Sequence, residues 1–169
     1  ITEEKLREAV RISHEGRRAL KDFYELMKLD PAPMKGENLY NVLYGTTFKF
    51  DRSKVPAEID ALTVKLKEEY AAGKNEGKKH RILITGCPMG GATMKVVKAI
   101  EENGGVVVAF ENCSGAKSVD RLIDENDPDI YEAIARRYLN IGCSVMTPNP
   151  NRFELLNELI DEYQVEAVV

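Results

Sequence analysis

Along the first part of the chain, apolar positions recur with the period of a helix. From Thr2 to about Lys28, the residues Leu6, Ala9, Val10, Leu20, Phe23, Tyr24 and Met27 form one stripe, which predicts an amphipathic helix stopped by Asp30-Pro31. Thr2 is placed to cap that helix, and Glu3 and Glu4 suit the positive end of its dipole. A shorter helix is expected between Gly36 and Gly45. A third follows a start signal at Asp51 to Ser53 and runs through Val55, Ile59, Leu62 and Leu66 to about Ala72.

The polar joint Gly73-Lys-Asn-Glu-Gly77-Lys-Lys marks a change of pattern. Arg81 to Thr85 and Gly105 to Phe110 are short, unbroken apolar runs with strand character, and Thr93 to Asn103 between them reads as helix. Helical patterns at about Asp129 to Leu139 and Arg152 to Tyr163 lead to a third strand-like run that begins at Val165. Unbroken Ile/Val runs joined through helices imply a parallel sheet covered on both faces. The expected fold class is therefore α/β, a partial Rossmann-like parallel sheet in the order 2-1-3 with a helical N-terminal segment. Residues 1–75 read as a helical segment, and residues 76–169 as a truncated Rossmann-like domain. Because the chain opens at Ile1 already on a helical pattern and closes in an apolar run at Val169, it is read as an internal piece of a longer protein.

Composition narrows the function classes. A chain of 169 residues with 43% apolar and 31% charged residues has the balance of one globular domain, and its formal charge of -4 leaves no electrostatic footprint for nucleic acid or an anionic membrane surface. No apolar run approaches the roughly 20 residues of a membrane-spanning helix, and no signal peptide is legible, so a reducing cytoplasm is expected. The cysteines are three, Cys87, Cys113 and Cys143, without a C-x-x-C pair, so no disulfide framework can be read.

In a right-handed β-α-β wind, the carboxyl ends of parallel strands and the amino ends of the following helices share one rim. Gly86-Cys87-Pro88-Met89-Gly90-Gly91 leaves the first strand, Glu111-Asn112-Cys113-Ser114-Gly115 leaves the second, and Ile141-Gly142-Cys143-Ser144 precedes the helix that returns to the third. All three cysteines are thus expected on one rim. The first loop feeds a helix amino terminus, which favours an anion. It is not a Walker loop, and Pro88 stands where the dinucleotide fingerprint G-x-G-x-x-G needs its second glycine; Glu111 nonetheless stands where a ribose-binding acid would. A tight turn without a ligand is the plain alternative. Three thiols also suit a soft metal or an iron-sulfur centre, against the plain reading of small buried hydrophobes. A Cys/His nucleophilic pair has little support, because His14 and His80 lie away from these loops and read as solvent-facing.

The segments Arg81-Ile-Leu-Ile-Thr-Gly-Cys-Pro-Met-Gly-Gly91, Glu-Glu-Asn-Gly-Gly105, Glu-Asn-Cys-Ser-Gly-Ala-Lys117, Arg137-Tyr-Leu-Asn-Ile-Gly-Cys-Ser144 and Asp161-Glu-Tyr-Gln-Val165, with Leu43-Tyr-Gly-Thr-Thr-Phe-Lys-Phe-Asp51 upstream, carry a resemblance. In this order they resemble the middle of the D-component family of 2-hydroxyacyl-CoA dehydratases and benzoyl-CoA reductases, especially its double-cubane-cluster-like branch. The resemblance implies an oxygen-sensitive, cytoplasmic enzyme of two related subunits, as a homo- or heterodimer, each with an iron-sulfur cluster near their interface. It further implies an ATP-hydrolysing activator protein that delivers a low-potential electron, and an acyl-CoA or small-molecule substrate; in the dehydratases a ketyl radical then loses water. The resemblance implies that the helical segment 1–75 links to a missing N-terminal domain, and that the cluster ligands lie in that domain and in a loop beyond the third strand. No metal or cofactor is accordingly expected on this chain alone, the isolated chain is expected to be inactive, and no catalytic residue is assigned. Gly86, Cys87, Gly90, Gly91, Glu111, Asn112, Cys113, Cys143 and Ser144 are expected to line the edge of the cleft.

Overall fold

The computed structural model describes residues 1–87 and 90–169. Helix α1 spans Glu3–Glu25, with the Thr2 side chain accepting from the Lys5 N–H, and a single 3-10 turn at Leu26–Lys28 closes it before Pro31. Helix α2 covers Gly36–Thr46 and α3 covers Val55–Ala71. The α/β segment then runs β1 His80–Ile84, α4 Gly91–Glu102, β2 Gly105–Phe110, α5 Ala116–Val119, α6 Ile130–Leu139, α7 Pro150–Glu162 and β3 Ala167–Val168.

The sheet is three-stranded and parallel in the order β2-β1-β3, as the sequence pattern predicts. Its third strand is shorter than the expected run from Val165: only Ala167 and Val168 pair, with Ile82 and Leu83. All six residues of β2 are buried, which explains its unbroken Val/Ala/Phe run. One core joins the N-terminal helices to the sheet: Leu20, Phe23, Tyr24, Met27, Leu39 and Tyr40 pack with Leu83, Ile84, Val107 and Phe110.

The free edge of β2 is covered rather than open. The Tyr24 hydroxyl accepts from the Phe110 N–H at 2.7 Å and lies 3.3 Å from the Phe110 carbonyl oxygen, so one side chain serves both backbone groups. Gly36 opens α2 against the same strand, where a Cβ would overlap the Val107 carbonyl. The Glu101 carboxylate accepts from the Gly36 N–H at 2.6 Å and from Val107 N–H at 3.5 Å, tying α4, α2 and β2 together. At the opposite end of the sheet, the buried Arg81 donates to the carbonyls of Met27, Leu29 and Tyr163.

One expectation is corrected. His14 is not solvent-facing: it is 0% exposed, its Nε2 accepts from the Ile123 N–H at 3.0 Å, and its Nδ1 pairs with Glu125. With Nε2 acting as acceptor, the ring proton belongs on Nδ1 and points at the Glu125 carboxylate. The histidine latches the segment after α5 onto α1, assisted by Arg7, which donates to the carbonyls of Glu125, Asp127 and Pro128. His80 does face solvent, with its side chain 77% exposed beside Glu166.

Candidate functional site

At the carboxyl ends of β1 and β2, the chain turns away from the sheet through two loops, and Glu111 stands between them. Its side chain is fully buried, which for a carboxylate demands partners from several directions. Oε2 accepts from the Thr85 hydroxyl at 2.7 Å and from the Gly86 N–H at 3.3 Å, both at the end of β1. Oε1 faces two cations, Lys117 Nζ at 2.6 Å and Arg152 Nε at 3.7 Å. The Lys117 contact is close but not well directed, so Oε1 keeps its hydrogen-bonding capacity although it is charge-paired.

The surrounding elements are brought together by close backbone approach. Gly115, which leads into α5, lies so near β2 that a Cβ there would overlap the Phe110 carbonyl, and this closeness turns Lys117 back toward Glu111. Gly142 packs on the backbone of Arg152, where a Cβ would come within 2.9 Å of its Cα. That contact sets the loop bearing Cys143 against the start of α7, and Asn149 Nδ2 donates to the Cys143 carbonyl at 2.6 Å. The order of the sheet reverses between β1 and β3, and Gly86, which leaves β1, lies at this switch point, the usual place for a ligand in an open α/β sheet.

Of the residues expected at the cleft, Gly86 and Glu111 are hydrogen-bonded to each other, and Asn112 follows, 1% exposed, with its Oδ1 accepting from the Ser114 N–H. Cys87 and Cys113 are exposed and Cys143 is partly so. Gly90 accepts at its carbonyl from the Tyr40 hydroxyl at 3.5 Å and precedes α4 at Gly91, and Ser144 is exposed. Pro88 and Met89 of the same loop lie outside the described residues. Among the described residues, no three His, Cys, Asp or Glu side chains are placed to share a metal ion. A groove of about 720 Å³ lies elsewhere, against the first turns of α1. Its charges are largely spent on one another, as in Arg7 with Glu3 and Arg11 with Glu8, so it does not compete as a reactive site.

The family model for "2-hydroxyglutaryl-CoA dehydratase, D-component" matches residues 1–169. The chain belongs to this D-component family. A relative from Escherichia coli (strain K12), which carries the provisional name dehydratase subunit YjiM, is 46% identical over 169 residues. The alignment covers 100% of this chain and 44% of the relative, so the chain spans less than half of that protein's length.

Within this D-component chain, the sequence pattern reached Glu111 through its place at a strand end, but not its partners. Lys117 is six positions further on and Arg152 comes from α7, and neither separation forms a local motif. Only the two glycines that allow close approach, Gly115 and Gly142, stood in the sequence as a sign that backbones meet there. Among the described residues, no helix is long and apolar enough to cross a membrane.

Proposed function

We propose that this chain forms part of a 2-hydroxyacyl-CoA dehydratase, or of a related low-potential reductase, built from two related subunits. The observation that carries the proposal is the family match over the whole chain, joined by 46% identity to a relative named as a dehydratase subunit. In this reading the full-length parent is a cytoplasmic protein that holds an iron-sulfur cluster near the subunit interface, and an ATP-hydrolysing activator supplies its electrons one at a time. The cluster's contribution is that low-potential electron.

The chain's own residues act as one wall of the cleft. Glu111 binds the loop after β1 to the loop after β2 through Thr85 and Gly86, and Lys117 and Arg152 hold its charge. This fixes the wall lined by Gly86, Cys87, Gly90, Gly91, Asn112, Cys113, Cys143 and Ser144. A preorganised wall needs such second-layer support, because loops left unbraced position a ligand poorly. A second reading, a thiol-lined anion- or nucleotide-binding module without redox chemistry, is favoured by the two cations, Lys117 and Arg152, that face the buried Glu111 at the strand ends.

The two readings separate on the full-length gene product purified without oxygen. With activator, ATP and reductant, a panel of 2-hydroxyacyl-CoA thioesters is expected to include one that loses water to the enoyl-CoA, with turnover abolished when any of the three additions is omitted. An iron-free full-length protein that binds nucleotides or anions, yet turns over neither these thioesters nor reducible ones, would exclude the dehydratase and reductase reading.

A further inference from the structure

Between α5 and α6, residues 120–129 form neither helix nor strand and lie on α1. This strap is tied down at both ends by arginines. At its start Arg137 Nε donates to the Arg121 carbonyl at 3.1 Å, and at its far end Arg7 donates to the carbonyls of Glu125, Asp127 and Pro128. Its middle hangs on His14. There the Ile123 N–H donates to Nε2 at 3.0 Å, and the Ile123 side chain, 7% exposed, shares a small core with Val10 of α1 and Ile130 and Ala133 of α6. His14 is fully buried and both ring nitrogens are committed, the Nδ1 proton to Glu125 and the Nε2 lone pair to Ile123. A neutral imidazole fits this arrangement. An imidazolium does not, because a proton on Nε2 would face the Ile123 N–H donor to donor.

We propose that His14 is a pH-sensitive catch, which holds the middle of the strap, Leu122 to Asp124, on α1 while the ring is neutral and lets it go when Nε2 takes a proton. Acid favours release because the closed strap uses the lone pair that the second proton needs. The charged groups around the catch are Arg7, Arg11, Arg17 and Arg18 on α1, Asp124, Glu125 and Asp127 in the strap, and Glu132, Arg136 and Arg137 on α6. All are carboxylates or guanidiniums, so His14 is the member of the group whose type ordinarily changes charge between about pH 5 and 8. Glu125 supports the charged ring. His14 and then Arg18 hold its carboxyl below the usual carboxylate range, so it stays an anion while histidine titrates and keeps the imidazolium at Nδ1. Asp127 is held low as well, by the Asp129 N–H and then by Arg136. The ends of the strap therefore stay tied in acid and the motion falls on its middle. When Ile123 leaves, it uncovers Val10 and Ile130, which together with Glu125 already line the groove along α1, and that groove deepens. The catch rests on this chain's own contacts and is independent of the dehydratase reading.

The test is amide hydrogen exchange followed by NMR on the ¹⁵N-labelled chain between about pH 8 and pH 5, with each rate corrected for the intrinsic effect of pH. Protection of the Ile123 amide is expected to fall toward acid, with a limiting slope of about tenfold per pH unit, the signature of one proton. Leu83, fully buried in the central strand, reports global opening and should stay protected. His14→Gln offers an oxygen to Ile123 and an amide to Glu125 without titrating, so its Ile123 protection should not depend on pH. His80→Gln, at the exposed histidine, should leave the fall intact. The proposal is overturned if Ile123 keeps its protection in acid, loses it equally in His14→Gln, no longer loses it in His80→Gln, or loses it in parallel with Leu83. If His14→Gln fails to fold, long-range ¹H–¹⁵N spectra of the imidazole in the unmodified chain decide. A bare Nε2 at pH 8 that gains its proton in step with the loss at Ile123 supports the catch; a proton already on Nε2 at pH 8, or a titration out of step, overturns it.

Discussion

Glu101 shows how a single buried carboxyl couples this fold to pH. It is partly buried, and burial pushes its pKa up despite the N–H groups it accepts from Gly36, Val107 and Glu37. A carboxyl with a raised folded value binds its proton more tightly in the folded chain, so the associated stability is complete below the ordinary carboxyl range and is lost as pH rises through the raised value. At neutral pH the charge is therefore a cost, and its acceptor oxygen is the useful part. Glu101→Gln keeps an acceptor for the Gly36 N–H and removes the charge. Unfolding by urea at pH 7 should show equal or slightly higher stability, with a change below about 1 kcal/mol because the group is partly open to water. The decline in stability above the carboxyl range should also flatten. A clear loss of stability at pH 7 would mean that the charge itself, rather than the acceptor, holds α2 to the sheet. The cysteines offer a second residue-scale check. Cys87 and Cys113 are exposed and Cys143 is only partly so, and iodoacetamide followed by peptide mass spectrometry should label the first two faster. Labelling of Cys143 at the leading rate would contradict the packing of its loop on α7.

At the scale of elements, the turn between β2 and α5 carries the site. Gly115→Ala places a methyl group on the Phe110 carbonyl, an overlap with backbone that no rotamer change relieves. The expected cost is about 1–3 kcal/mol, seen as a melting temperature lower by several degrees. A melting temperature equal to that of the unmodified chain would show that α5 is not pressed onto β2. The same element shows where sequence pattern ends. The long helices were legible because each repeats its period several times, as in the Leu20, Phe23, Tyr24 and Met27 stripe, and the two buried strands because their apolar runs are unbroken. Helix α5, at four residues, is too short for any period, and β3 forms only two ladder positions, so its full extent could not be read. His14 was misjudged for a related reason: its polar type suggests the surface, and the partners that satisfy it, Ile123 and Glu125, lie more than a hundred positions away.

For the whole molecule, the order β2-β1-β3 was legible in the sequence, whereas the packing of the N-terminal helices and the sheet into one core emerges only in the fold. The chemistry of the rim emerges only there too, because it arises where loops from three crossovers meet. Glu111 was visible at its strand end; Lys117 and Arg152 become meaningful only after the chain has folded. The same separation governs the thiols, which come from three loops and, among the described residues, do not join a three-ligand group of His, Cys, Asp or Glu. A cubane needs about four thiolates converging with a second layer of support. We propose that these residues form one wall of a cleft and that the cluster of the parent protein is held by ligands outside residues 1–169. The most direct test is anaerobic reconstitution with iron and sulfide, run in parallel on this chain and on the full-length gene product, with iron counting and visible absorption as readouts. A cluster on the full-length protein and none on the chain is the predicted result; a stoichiometric cluster on the chain that disappears in Cys113→Ser or Cys143→Ser would contradict it.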